Sequence, residues 1–184
     1  MVVSRKSERC HGQRGMTLIE QIMVLAIMAA LAGAAAPPMH ALLGRNRLQA
    51  AQMDMLAGLQ HARGMAVQTG ARVVFCPSRD ANRCSGEAQW ESGWLLGVDR
   101  DRDNQPDGVP LRVGGGQARV TIRSTAGRRH VAFQPDGSSP GSNLSIVICD
   151  ASGGSAPLSV VVSNSGRVRG ASATPEQAAE CARV

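Results

Sequence analysis

From Gln21 to Leu43 no Asp, Glu, Lys or Arg interrupts the chain. As a helix this stretch would run roughly 34 Å, enough to cross a hydrocarbon core of about 30 Å. Past Arg45 the pattern turns amphipathic. Leu48, Ala51, Met55, Leu59, Ala62 and Ala66 recur at three- and four-residue steps, while Arg45, Arg47, Asp54, Gln60 and Arg63 fall mostly elsewhere. Gly70 is a natural stop. Beyond it the period becomes two and β-branched residues take over. Strands are predicted over 71–76, 90–99, 111–113, 119–124, 130–134, 144–150 and 158–163. Turn signals such as Asp107-Gly108, Pro135-Asp136-Gly137 and Asn164-Ser165-Gly166 separate them. One long helix followed by a run of strands predicts an α+β fold, with the helix burying one face of an antiparallel sheet. The expected layout is a helix over 16–69, membrane-spanning over 21–43, and a β domain over 70–184.

The segment ahead of the apolar stretch changes its meaning. Arg5, Lys6, Arg9 and Arg14 stand there against Glu8, so the positive-inside rule keeps the N-terminus cytoplasmic and exports the rest. A secretory signal would end in a cleavable small-residue site, but Gly33-Ala34-Ala35-Ala36 runs into Pro37-Pro38. A simple anchor also has no use for Glu20 at the edge of lipid. The string Arg14-Gly15-Met16-Thr17-Leu18-Ile19-Glu20, with Pro37 22 residues after the glycine, resembles the class III leader of type IV pilins and type II secretion pseudopilins. The resemblance implies that residues 1–15 are a leader. A prepilin peptidase would cut between Gly15 and Met16 and methylate Met16. Phe is the usual first mature residue of that family, and Met16 departs from it while staying apolar. Glu20 would pair with the Met16 amine of a neighbouring subunit, which makes the helix an anchor first and an assembly element afterwards.

Composition narrows the exported part. The chain has no Tyr, two Trp and two Phe, which argues against a nucleic-acid platform built on stacked rings. Its formal charge is +6. Residues 119–184 hold seven arginines against four acids, whereas residues 73–118 carry a small negative excess. Four cysteines remain after the leader, an even number in an oxidising compartment, and this reads as two disulfides. Of three possible connectivities, Cys76–Cys84 with Cys149–Cys181 is the most local. Zinc hydrolysis is disfavoured because His11, His40, His61 and His130 form no HxxxH or HExxH pair. No triad, GxSxG or Walker string points to an enzyme, and no cofactor or metal is expected.

Val73-Val74-Phe75-Cys76-Pro77-Ser78, Trp90-Glu91-Ser92-Gly93-Trp94, Phe133-Gln134-Pro135-Asp136-Gly137 and Ser163-Asn164-Ser165-Gly166-Arg167-Val168-Arg169 together resemble the GspH/FimT family, its FimT-type minor pilins more than the secretion pseudopilins. The resemblance covers residues 14–184. It implies an inner-membrane subunit with a periplasmic domain, which then joins a pilus or pseudopilus with other pilin subunits. In FimT-type proteins the Gly-Arg-X-Arg string is associated with DNA binding in natural transformation. That role would fall here on Gly166, Arg167 and Arg169, in a loop after a strand. The alternative is a GspH-type pseudopilin with a purely structural role. Arginine forks suit phosphate. With no helix-turn-helix pattern, contact with double-stranded DNA should be non-specific. Arg128 and Arg129 are expected helpers if the two loops lie together. Asp99, Asp101 and Asp103 have calcium-loop spacing. Yet Asn104 replaces the sixth-position glycine, the distal glutamate is missing and two arginines interrupt the run. An acidic turn is expected, not a calcium site.

Overall fold

The computed structural model describes residues 15–181, leaving aside the side chains at 34–41 and 126. The leader thus lies outside the described residues except for Gly15. The elements, in order, are α1 (Leu18–Thr69), β1 (Val73–Pro77), β2 (Gly93–Val98), β3 (Arg112–Gly115), β4 (Val120–Ser124), a 3-10 turn (Thr125–Gly127), β5 (Val131–Phe133), β6 (Leu144–Asp150), β7 (Leu158–Val162), β8 (Val168–Ser172) and α2 (Pro175–Cys181).

The chain divides into two units, Met1–Met39 and His40–Val184. The first contains the start of α1. There Leu18, Ile19, Ile22, Met23, Val24 and Leu25 are all exposed, so past Glu20 and Gln21 the helix is apolar all round, as a lipid- or helix-facing segment is. Among the described residues no helix is long and apolar enough to cross a membrane, and the expected span over 21–43 reaches the side chains at 34–41 that lie outside them.

The second unit owes its core to the predicted stripe. Leu48, Ala51, Met55, Leu59, Ala62 and Ala66 are all buried. Gly70, in the left-handed region at φ 61°, ends the helix. The strands form two antiparallel sheets, ordered β3-β2-β1-β5 and β4-β6-β7-β8. The strands are antiparallel as expected, and periodicity could not reveal their partition into two sheets. The chain enters the second sheet at β4, returns to the first at β5 and then stays in the second. Alternation gives each sheet an inner face. Val73, Phe75, Trp94, Leu96, Val131 and Phe133 from the first meet Ile122, Ile146, Ile148, Val160 and Val162 from the second, with the α1 stripe, in one cluster. Phe75 stacks on Trp90 with ring centroids 5.5 Å apart and lies 4.8 Å from Trp94. Trp94 Nε1 donates to Asp54 Oδ2 on α1 (2.8 Å), giving the buried ring its polar partner.

Two elements escape the period-two reading. β8 carries Gly170 at its centre and only one β-branched residue, so its sequence holds no strand signal. The glycine makes room for Gln52, whose Nε2 donates to the carbonyl oxygens of Ser159 (2.8 Å) and Ala171 (3.0 Å). The arginine motif therefore straddles a turn and a strand: Gly166 and Arg167 precede β8, as expected of a loop, whereas Val168 and Arg169 open it. α2 is short and has no buried residue. Cys181 at its end is bonded to Cys149 of β6, with Cα atoms 5.7 Å apart.

Candidate nucleic-acid interface and assembly helix

The assembly end begins at Gly15 and Met16, just ahead of α1, both exposed. Thr17 caps the helix, its Oγ1 accepting from the Glu20 amide (3.4 Å). Glu20 is exposed in the first turn, where a carboxylate suits the helix dipole. Among the described residues it has no ion-pair partner.

The arginine motif sits on the β7–β8 hairpin. Val162 pairs with Val168 and Val161 with Arg169. The Gly166 amide donates to the Ser163 carbonyl (2.8 Å) and the Ser163 amide to the Arg167 carbonyl (3.1 Å), closing the turn. Alternation does the rest. Val168 packs on the core from the inner side, while Arg167 and Arg169 on either side of it are exposed. Gly166 is required twice. Its φ is 76°, in the region that side chains avoid, and a Cβ there would overlap the Gly137 carbonyl. The turns at 134–138 and 163–166 therefore touch. The Ser139 amide donates to the Asn164 carbonyl (2.9 Å). From α1, Arg63 Nε donates to the Gly137 carbonyl (3.0 Å). Sequence reading left Arg63 among the helix's solvated residues, since nothing local signals a turn 74 positions away.

Arg128 and Arg129 are exposed, and among the described residues no hydrogen bond ties them to the hairpin. They follow β4, one edge of the second sheet, and β8 is the other edge. Three strand steps of ~4.8 Å put those edges about 14 Å apart.

Asp99, Asp101 and Asp107 each offer an oxygen, all within 4.8 Å of one another. One of the three, Asp99, already has a cationic partner in Arg72. Its guanidinium pairs with the fully buried Asp99, and its Nη2 donates to Asn104 Oδ1 (2.7 Å). Burial lowers the Arg72 pKa, as does nearby Arg102, and Asp103 offsets them in part. Asn104 takes the left-handed backbone (φ 67°) that an EF-hand assigns to glycine. The loop thus has the turn of a calcium site and an internal cation of its own.

Cys76 and Cys84 are bonded, with Cα atoms 5.5 Å apart. This pair packs with Val74 and Leu95 on the outer face of the first sheet. Half-buried His130 is held below the ordinary histidine range by burial first, then by Arg72 and Arg128. No nucleophile or carboxylate joins it in a catalytic constellation among the described residues.

A terminal helix that leads from a methylation-type N-terminus into a two-sheet β domain defines a pilin-type subunit. The family model for type II transport protein GspH matches residues 51–166, so the chain belongs to that family. The prokaryotic N-terminal methylation motif matches residues 10–36. That motif marks a chain processed by a peptidase, anchored through its helix and assembled with other pilin subunits. The chain is similar to the type IV minor pilin FimU of Pseudomonas aeruginosa, with 24% identity over 68% of this chain and 88% of that one, at TM-score 0.56. A second crystal form of FimU gives 23%, 67%, 91% and 0.54. The solution structure of E. coli GspH gives 18%, 71%, 91% and 0.50. At these identities the likeness shows the fold. No curated protein matches the chain in sequence. These families are structural and non-enzymatic; the pattern of helix and strands predicted the α+β class, and the resemblance implied its pilin type.

Proposed function

We propose that this chain is a FimT-type minor pilin. It is cut between Gly15 and Met16, methylated at Met16 and held in the inner membrane until Glu20 draws it into a filament. Its hairpin arginines take up double-stranded DNA for natural transformation. The observation that carries the DNA reading is the presentation of Arg167 and Arg169. Both are exposed, Arg167 in the turn and Arg169 on the edge strand, with half-buried Val168 packed against the core between them and Gly166 clamped on Gly137. So rigid a support leaves only the two side chains' own rotamer freedom to be lost on meeting a phosphate backbone.

The test is fluorescence anisotropy with duplexes of unrelated sequence, using the full chain in detergent micelles. Parent protein should bind all of them similarly and weakly. The log–log salt slope should be about −2 to −4, as for two to four phosphate contacts. Replacing Arg167 and Arg169 together by Gln should abolish binding and leave the circular dichroism melt unchanged. Equal binding by the double variant would favour the second reading, a pseudopilin of type II secretion. That reading draws support from the matched family's description and from the likeness to E. coli GspH. Several copies on one filament would raise a weak single-subunit affinity.

A further inference from the structure

Beside the hairpin, a groove of about 540 Å³ separates the edge of β8 from the last turns of α1. Arg167 and Val168 form one wall, and Gln60, Arg63, Val67 and Gln68 the other. We propose that the phosphate-binding surface crosses this groove onto α1, with Arg63 as a third arginine on the DNA backbone and Gln60 and Gln68 as neutral donors on either side. The inference rests on the DNA reading above and adds to it residues that the motif does not contain.

Three observations carry it. First, Arg63 is exposed yet already ordered. Its Nε is tied to the Gly137 carbonyl (3.0 Å), while its two terminal nitrogens have no protein partner among the described residues. A fork held by its third nitrogen can bind phosphate bidentately without paying again for its rotamer. Second, the tie runs to the same turn that clamps Gly166, so Arg63 and Arg167 are placed by one rigid unit. Third, Gly64 lies between Gln60 and Gln68 on the helix surface that lines the groove. A helix-interior glycine costs about 1 kcal/mol against alanine. Gly64 has no packing reason to be there, because a Cβ would meet nothing within 4 Å. A bare strip of helix flanked by amide donors suits a backbone that must come close. The one acid in the adjoining turn, Asp136, is turned onto the Ser138 amide (2.8 Å).

The experiment is the same anisotropy titration, run from low to physiological salt on the full chain in detergent. The variants are Arg63→Gln, Arg63→Lys, Gly64→Leu and the Arg167→Gln/Arg169→Gln double, each also melted. Arg63→Gln should weaken binding roughly tenfold, the size of a charge-assisted hydrogen bond, and flatten the salt slope by about 0.9. Arg63→Lys should keep the slope. Gly64→Leu should weaken binding with no change of charge. If Arg63→Gln binds as the parent does while the double variant does not, the groove inference fails and the hairpin reading stands. If Arg63→Gln loses binding and the double variant does not, the hairpin reading fails and the groove remains. A loss of binding in Arg63→Gln and Arg63→Lys alike, with an unchanged slope and a lowered melt, would make Arg63 a clamp only and overturn the proposal. So would a parent chain that binds no duplex.

Discussion

Gly58 shows how closely the helix approaches the first sheet. A Cβ there would stand 2.9 Å from Phe75 Cε2 and 2.9 Å from the six-membered ring of Trp94. Those rings are fully buried, and dense cores resist such intrusion. Gly58→Val should therefore cost about 1–3 kcal/mol by overpacking, of which helix propensity offsets only about a few tenths of a kcal/mol. A thermal melt should show a fall of several degrees, and an unchanged midpoint would mean that the rings can yield. Arg72 makes the complementary case in charge. It pairs with Asp99, one of three carboxylates that lie close enough together to share a cation. A calorimetric calcium titration should accordingly give no micromolar binding. Arg72→Met should destabilise the fold by about 3–5 kcal/mol, because it leaves the Asp99 carboxylate buried and unpaired. Micromolar calcium affinity in the parent would refute this account of the loop.

Among the elements, α1 was legible because a 3.6-residue stripe needs no partner to be seen, and the same holds for the turns at Gly70 and Gly166. Strand pairing was not legible. Period two says that Val120–Ser124 and Val131–Phe133 are strands, but not that they belong to different sheets. β8 was invisible because its place is set by Gln52 and by Val161 and Val162, which are remote in sequence or silent about pairing. The arginine motif itself was legible, as was its exposure. Its rigidity, its link to Arg63 and its distance from Arg128 and Arg129 depend on which turns meet. The two disulfides fasten different elements and should contribute unequally. Cys149–Cys181 closes a separation of 32 residues and holds α2 to β6, whereas Cys76–Cys84 closes 8. In the chain-entropy model these are worth about 3.7 and 2.5 kcal/mol respectively. The Cys149→Ala/Cys181→Ala variant should melt lower than Cys76→Ala/Cys84→Ala under the same oxidising conditions. The reverse order would show that burial of Cys76 outweighs loop closure.

At the scale of the whole molecule, the proposed function makes Glu20 the residue that governs where the apolar start of α1 goes. Leu18 is 81% exposed and Leu25 66% in the single chain, so this surface needs lipid or other helices around it. In lipid the Glu20 carboxylate costs about 2.5–3.5 kcal/mol on insertion scales. An α-amine released at Met16 of a neighbouring subunit would offset that cost only if the leader is gone. On the proposed function, processing and assembly would be coupled through a single ion pair. Mass spectrometry of the membrane form should find a mature chain beginning at methylated Met16, and Gly15→Ala should retain the leader. Glu20→Ala should still be cleaved and should stay in the membrane at least as firmly, having lost a polar group. It should nonetheless be depleted from sheared filaments, because nothing then favours docking beside another subunit's N-terminus over remaining in lipid. An intact leader on the parent chain would break the first half of this argument. Parent-level incorporation of Glu20→Ala into filaments would break the second, and the helix packing alone would then have to account for assembly.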